Sequence, residues 1–230
     1  MRPQKAALTA LLTVCSLLRA GPASAATTAV RPPDGTYTYE IHRNDATIAT
    51  SRIVFSSTDR GVVASEHTVS NTVDATVKTT FDAATFAERT YTADITEPAG
   101  NEHISATMEG GVATVEAGTR RFSVQALAGA PTLVVIDNLV SFNVILPAIA
   151  KGNSTTSVTL ALLDTGQASM GHLGTSAESA PLTAEPRDVG MTFSVGALAG
   201  TIWYDPATLI ADEIDFPSQK ESIRLVKRTA

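Results

Sequence analysis

Four histidines, His42, His67, His103 and His172, and one dense run of carboxylates, Asp212, Glu213 and Asp215, are the side chains in this sequence best suited to hold a metal or move a proton. Either task needs several such groups to converge on one point. The histidines have neither the i, i+4 spacing of a helix face nor the i, i+2 spacing that sets two ligands side by side on a strand. His67 and His103 each follow a glutamate, Glu66 and Glu102, but neighbours on a strand point to opposite faces. All four read as solvated strand histidines, and no metal ligand is assigned. Glu213 and Asp215 share a strand face, which suits a cation or a pair of working carboxylates. Ile210, Ile214 and Phe216 occupy the other face, so the cluster reads as the solvated side of an amphipathic strand.

No Gly-x-Ser-x-Gly elbow is present, and Gly110-Gly111 lacks the Lys-Ser/Thr of a phosphate loop. No catalytic residue is assigned and no cofactor is implied. Two further places draw attention. Asp137 and Asn138 stand between a buried strand and a helical segment, where they mark a cavity mouth or cap the helix. Trp203 and Tyr204 precede an Asp205-Pro206 turn, where a lone Trp lines a ligand site or anchors a β core.

The elements that must position these residues are mostly strands. In Thr36-Tyr37-Thr38-Tyr39-Glu40-Ile41-His42, the residues Tyr37, Tyr39 and Ile41 fall on one face, a period of two. Asn44-Asp45 supply a turn, and 48–55 returns as the second arm of a hairpin. Val- and Thr-rich strands follow over 62–69 and 73–81, then over 86–95, 103–108, 112–116 and 120–125. One helix is expected over about 138–150, after the strand 133–136, because Leu139, Phe142, Ile145, Leu146 and Ile149 recur at helical spacing. Strands resume at 157–163, 189–195, 201–204, 209–216 and 223–227, and 174–188 reads as a long loop. The fold class expected is all-β and mainly antiparallel: a strongly curved sheet or incomplete barrel, with the short helix against its apolar face.

Arg2 and Lys5, the apolar run 6–18 and Ala23-Ser24-Ala25 have the order of a secretory signal peptide, with cleavage after Ala25. Residues 26–34 read as a flexible leader and 35–230 as a single β-rich domain. Val14 is too bulky to precede a lipidated cysteine, so Cys15 reads as part of the signal. The mature chain then carries no cysteine and no disulfide. Removing three basic residues and no acidic one takes the formal charge from −6 to −9. That charge excludes the basic footprint of a nucleic-acid binder, and no transmembrane anchor is expected. The mature protein is expected outside the cytoplasm, secreted or periplasmic.

The chain resembles uncharacterised bacterial exported β proteins. The resemblance rests on the opening hairpin Gly35-Thr-Tyr-Thr-Tyr-Glu-Ile with Ile48-Ala-Thr-Ser. It rests also on the run Val134-Val-Ile-Asp-Asn-Leu and on the closing hairpin Trp203-Tyr-Asp-Pro-Ala-Thr-Leu-Ile with Asp215-Phe-Pro. It brings no catalytic residue with it. More remotely, the layout is similar to the outer-membrane lipoprotein carriers, whose curved sheet surrounds an apolar cavity; this chain has less helix. The function expected is a binding or carrier module for an apolar, lipid-like ligand, contacted by Leu139, Phe142, Ile145, Ile149 and Trp203, with Asp137 and Asn138 at the cavity mouth. A structural scaffold that contacts another envelope protein is the alternative, and a hydrolase the third reading.

Overall fold

The computed structural model describes residues 31–82, 87–130, 133–135, 155–162, 166–177, 188–196 and 198–229. The signal segment, Asp137, Asn138 and the expected helix with Leu139, Phe142, Ile145 and Ile149 lie outside them. The described strands are β1 (Gly35–Arg43), β2 (Ala46–Thr58), β3 (Gly61–Ser70), β4 (Asp74–Asp82), β5 (Glu88–Glu97), β6 (Gly100–Glu109), β7 (Val112–Ala117) and β8 (Arg120–Gln125). They continue as β9 (Leu133–Val135), β10 (Thr155–Leu162), β11 (Gln167–Thr175), β12 (Val189–Val195), β13 (Leu198–Tyr204), β14 (Ala211–Phe216) and β15 (Glu221–Thr229). The strand β11 was not legible as one: its Gly171 and Gly174 broke the apolar alternation, so part of it read as loop.

All fifteen strands join one sheet in the order β8-β7-β6-β5-β4-β3-β2-β1-β15-β14-β13-β12-β11-β10-β9. Every pairing is antiparallel except β9 with β10. The first and last strands therefore pair at the centre of the sheet, Ile41 facing Ile223, and the middle of the chain forms both edges. Tight turns make the meanders possible. Asn44 and Asp45 hold φ of 48° and 64°, and Gly110 and Gly111 hold 58° and 77°, the left-handed pairs that match hairpin twist.

The sheet rolls nearly closed on its apolar face. Tyr39, Ile53, Phe55, Val62, Phe81, Ile202, Ile214 and Ile223 are buried in one cluster with Val158 and Leu160. Tyr91, Ala93, Ala106, Ala113 and Val115 are buried in a second cluster with Val135 and Ala161. Consecutive residues of β10 thus belong to different clusters. Val158, Thr159, Leu160 and Ala161 are 0%, 0%, 2% and 0% exposed. Adjacent strand side chains point to opposite faces, so β10 is covered on both. The β9–β10 end of the sheet is rolled inward, between the β1–β4 and β12–β15 cluster on one side and the β5–β8 cluster on the other.

Glu88, Thr159 and Phe122 help to hold that end. Glu88 on β5 accepts the Val135 N–H at 2.8 Å through Oε2, which satisfies the free edge of β9. Thr159 Oγ1 accepts the Leu127 N–H at 2.8 Å and donates to the Ala130 carbonyl at 2.6 Å. Phe122 on β8 packs so closely over Gly166 that a Cβ there would lie 3.1 Å from its ring.

Candidate functional site

The convex face opposite the core is where polar residues collect. On β13, β14 and β15, Ile202, Ile214 and Ile223 enter the core. Their neighbours Thr201, Asp215 and Ser222 must therefore point outward. Register then aligns them. Gly174 faces Thr192, Thr192 faces Thr201, Thr201 faces Asp215, Asp215 faces Ser222, and Ser222 faces His42. This row crosses six strands, about 24 Å at the usual interstrand spacing.

Two clefts open along the row and share Thr201 and Pro217. The first, of about 570 Å³, lies over β11–β13: Ala199 and Pro217 supply its outward apolar side chains and Thr192, Ser194 and Thr201 its hydroxyls, while Leu173 and Phe193 border it from beneath, their side chains entering the core. The second, of about 490 Å³, is charged: His42, Asp45, Asp215, Lys220, Glu221 and Arg224 line it. A one-turn 3-10 helix, Pro217–Gln219, stands at the boundary. It is tied to the opening hairpin by the Asn44 N–H, which donates to the Lys220 carbonyl at 3.0 Å.

A parallel row supports the charged cleft. Gly190 faces Trp203, Trp203 faces Glu213, Glu213 faces Arg224, and Arg224 faces Glu40. Trp203 is buried and lies across Gly190, where a Cβ would approach its ring to 2.7 Å. It lines neither cleft. Arg224 Nε donates to Glu213 Oε1 at 3.2 Å, with the two side chains 41% and 3% exposed. The other carboxylate oxygen, Oε2, is buried without a hydrogen-bond partner. Burial, and after it the Asp215 charge, push the Glu213 carboxyl above the ordinary range; the Arg224 guanidinium and His42 draw it partly back. Glu213 therefore acts as the base on which Arg224 is mounted.

This corrects the expectation of a solvated acidic face. Asp212 and Glu213 are 7% and 2% exposed. Asp212, on the core side of β14, is ion-paired with Arg228 near Tyr39, whose hydroxyl donates to the Ala211 carbonyl at 3.1 Å. Burial, and then Asp212, raise the Tyr39 phenol well above its usual range. The histidines are dispersed over the sheet. His67 and His103 are exposed and pair with Asp74 and Asp94 at 2.9 and 2.7 Å, partners that sequence proximity to Glu66 and Glu102 did not indicate. His172 borders the first cleft and His42 the second. Among the described residues no group of three or more His, Cys, Asp or Glu side chains is placed to hold a metal ion. Among those same residues, no helix is long and apolar enough to cross a membrane.

His42, Thr201, Lys220, Ser222 and Arg224 were not legible as site residues. The alternation of Ile41, Ile202, Ile214 and Ile223 places their neighbours on the outer face, but only the β1–β15 pairing brings residues 42 and 222 together.

No family model and no curated protein matches the sequence. Among solved structures, the chain is similar to the crystal structure of a DUF1089 family protein from Pseudomonas aeruginosa. The two are 9% identical, with 82% of this chain and 92% of the other covered, at a TM-score of 0.40. A likeness of that degree assigns neither family nor function.

Proposed function

We propose that the protein is an exported binding module for an amphipathic, lipid-like ligand, held along the convex-face groove. The observation that carries this reading is the pair of contiguous clefts sharing Thr201 and Pro217, one with apolar walls and one with charged walls. A ligand with an apolar arm and a polar end matches both at once. The arm lies over β11–β13 against Ala199 and Pro217, and the polar end sits among His42, Asp215, Lys220 and Arg224. Small-molecule sites combine apolar walls with a few placed polar groups in this way. The secretory order of residues 1–25 supports export.

Thr201 is the residue to test, because it belongs to both clefts. Native mass spectrometry of the mature chain with a single-chain lysophospholipid, below its micelle concentration, is expected to show one bound ligand. Thr201→Arg, which places a long charged side chain in both clefts, is expected to abolish that adduct while leaving the far-UV circular dichroism unchanged. An adduct of equal strength in the folded variant would place the ligand elsewhere and sink the groove reading.

A further inference from the structure

We propose that the polar end of this groove receives a zwitterionic head group, one anionic oxy-acid and one amine in the same molecule. The inference rests on the amphipathic reading above. It follows from which charges in the second cleft are already committed. Glu221 is paired with Arg43, whose NH2 lies 2.9 Å from its Oε2. Arg224 gives its Nε to Glu213 at 3.2 Å, which fixes the guanidinium at the rim with its terminal N–H groups still to place. His42 Nε2 lies 3.3 Å from Glu40 Oε2.

Asp215 is also engaged, which leaves two opposite charges. Lys220 and Asp45 line the same cleft, and among the described residues neither side chain has an ion-pair or hydrogen-bond partner. They do not pair with each other, although they stand on adjoining turns joined by the Asn44 to Lys220 backbone bond. Both residues hold the left-handed region of the backbone, Asp45 at φ 64° and Lys220 at φ 53°. The cleft therefore holds a cationic side, Lys220 with the terminal N–H groups of Arg224, and an anionic side, Asp45. A purely anionic head meets the carboxylate of Asp45 and also of Asp215. A purely cationic head meets Lys220 and Arg224. A zwitterion satisfies both sides and leaves neither charge opposed.

The test uses three probes of one chain length below their micelle concentrations, and one without a chain. Lysophosphatidylethanolamine carries both charges, lysophosphatidic acid only the phosphate, and a long-chain alkylamine only the ammonium. Phosphoethanolamine is the head alone. Titration calorimetry on the mature protein is expected to rank the zwitterion about tenfold or more ahead of either singly charged lipid, the factor associated with one well-placed charge contact. Lys220→Gln is expected to weaken the zwitterion and the phosphate lipid but not the alkylamine. Asp45→Asn, which keeps a residue at home in a left-handed turn, is expected to weaken the zwitterion and the alkylamine but not the phosphate lipid. Equal affinity for the three lipids overturns the head-group inference and leaves the amphipathic reading standing. Phosphoethanolamine binding as tightly as its lysolipid overturns the amphipathic reading and leaves the head-group assignment standing. No binding by any probe overturns both.

Discussion

Glu88 and Glu213 are both carboxylates in unfavourable surroundings, and they differ in what sustains them. Glu88 is buried against β9 with the Val135 N–H on one oxygen and no hydrogen-bond partner on the other. Burial raises its carboxyl from 4.5 to about 8, with the Val135 N–H opposing the shift. The folded state thus holds a proton that the unfolded chain releases. This contribution to stability is complete below the unfolded value, and it is lost as pH rises through about 8. Glu88→Gln keeps a neutral acceptor for Val135 without the titration. Urea unfolding at pH 5 and pH 9 is expected to show the wild type weaker at pH 9 and the variant nearly level. A wild-type stability that does not fall between those pH values would exclude the buried neutral carboxyl. Glu213 is sustained instead by Arg224. Arg224→Ala leaves its carboxylate buried and unpaired, and is expected to destabilise by about 1–3 kcal/mol, less than for a fully buried pair because the guanidinium is 41% exposed. Glu213→Gln in the Arg224→Ala background is expected to recover part of that loss.

At the scale of elements, β10 and β13 do the most to shape the roll. Thr159 on β10 serves one donor and one acceptor of the segment that follows β8. Thr159→Val conserves volume but strands both groups, and is expected to cost about 1–3 kcal/mol, read as a lower urea midpoint at unchanged slope. On β13, Gly200 lets Phe193 and Phe216 meet edge to face with ring centroids 5.5 Å apart. A Cβ at Gly200 would lie 2.3 Å from the Asp215 carbonyl and 2.7 Å from the Phe193 ring. Gly200→Ala is therefore expected to destabilise by about 1–3 kcal/mol or more, through overpacking rather than backbone preference. The strands that carry these positions were readable where they alternate, as Val189, Met191, Phe193 and Val195 do in β12. The strand β11 was not, because a glycine contributes no side chain to the alternation.

For the whole molecule, the decisive fact is that β1 pairs with β15. Thr36 is the register partner of Thr229, so the two ends of the described chain lie side by side. Joining them through a short linker and opening the chain at the Gly110-Gly111 turn is expected to preserve the fold, with a melting temperature within several degrees of the parent. Failure of that permutant to fold would mean that the β6–β7 hairpin is needed to nucleate the sheet. The same pairing joins residues far apart in sequence, which predicts slow refolding, on the order of milliseconds to seconds, typical of β topologies rich in non-local contacts.

The alternation of apolar side chains in Tyr37-Thr38-Tyr39, in Val189 to Val195 and in Ile214 to Phe216 was sufficient to specify strands, their buried faces and an antiparallel, curled sheet. That information is local, since a period of two is written into every strand. The same alternation placed Glu213 and Asp215 together on the outward side of β14, but it could not show that Arg224 would cover one of them. Nor could it show that β9 and β10 turn inward, because burial on both faces erases the alternation that sequence reading depends on. The groove is non-local in the same sense. His42 and Ser222 are neighbours only because the first and last described strands pair, and the register that aligns Thr201, Asp215 and Ser222 is set by contacts across the sheet, not by any residue's own neighbours.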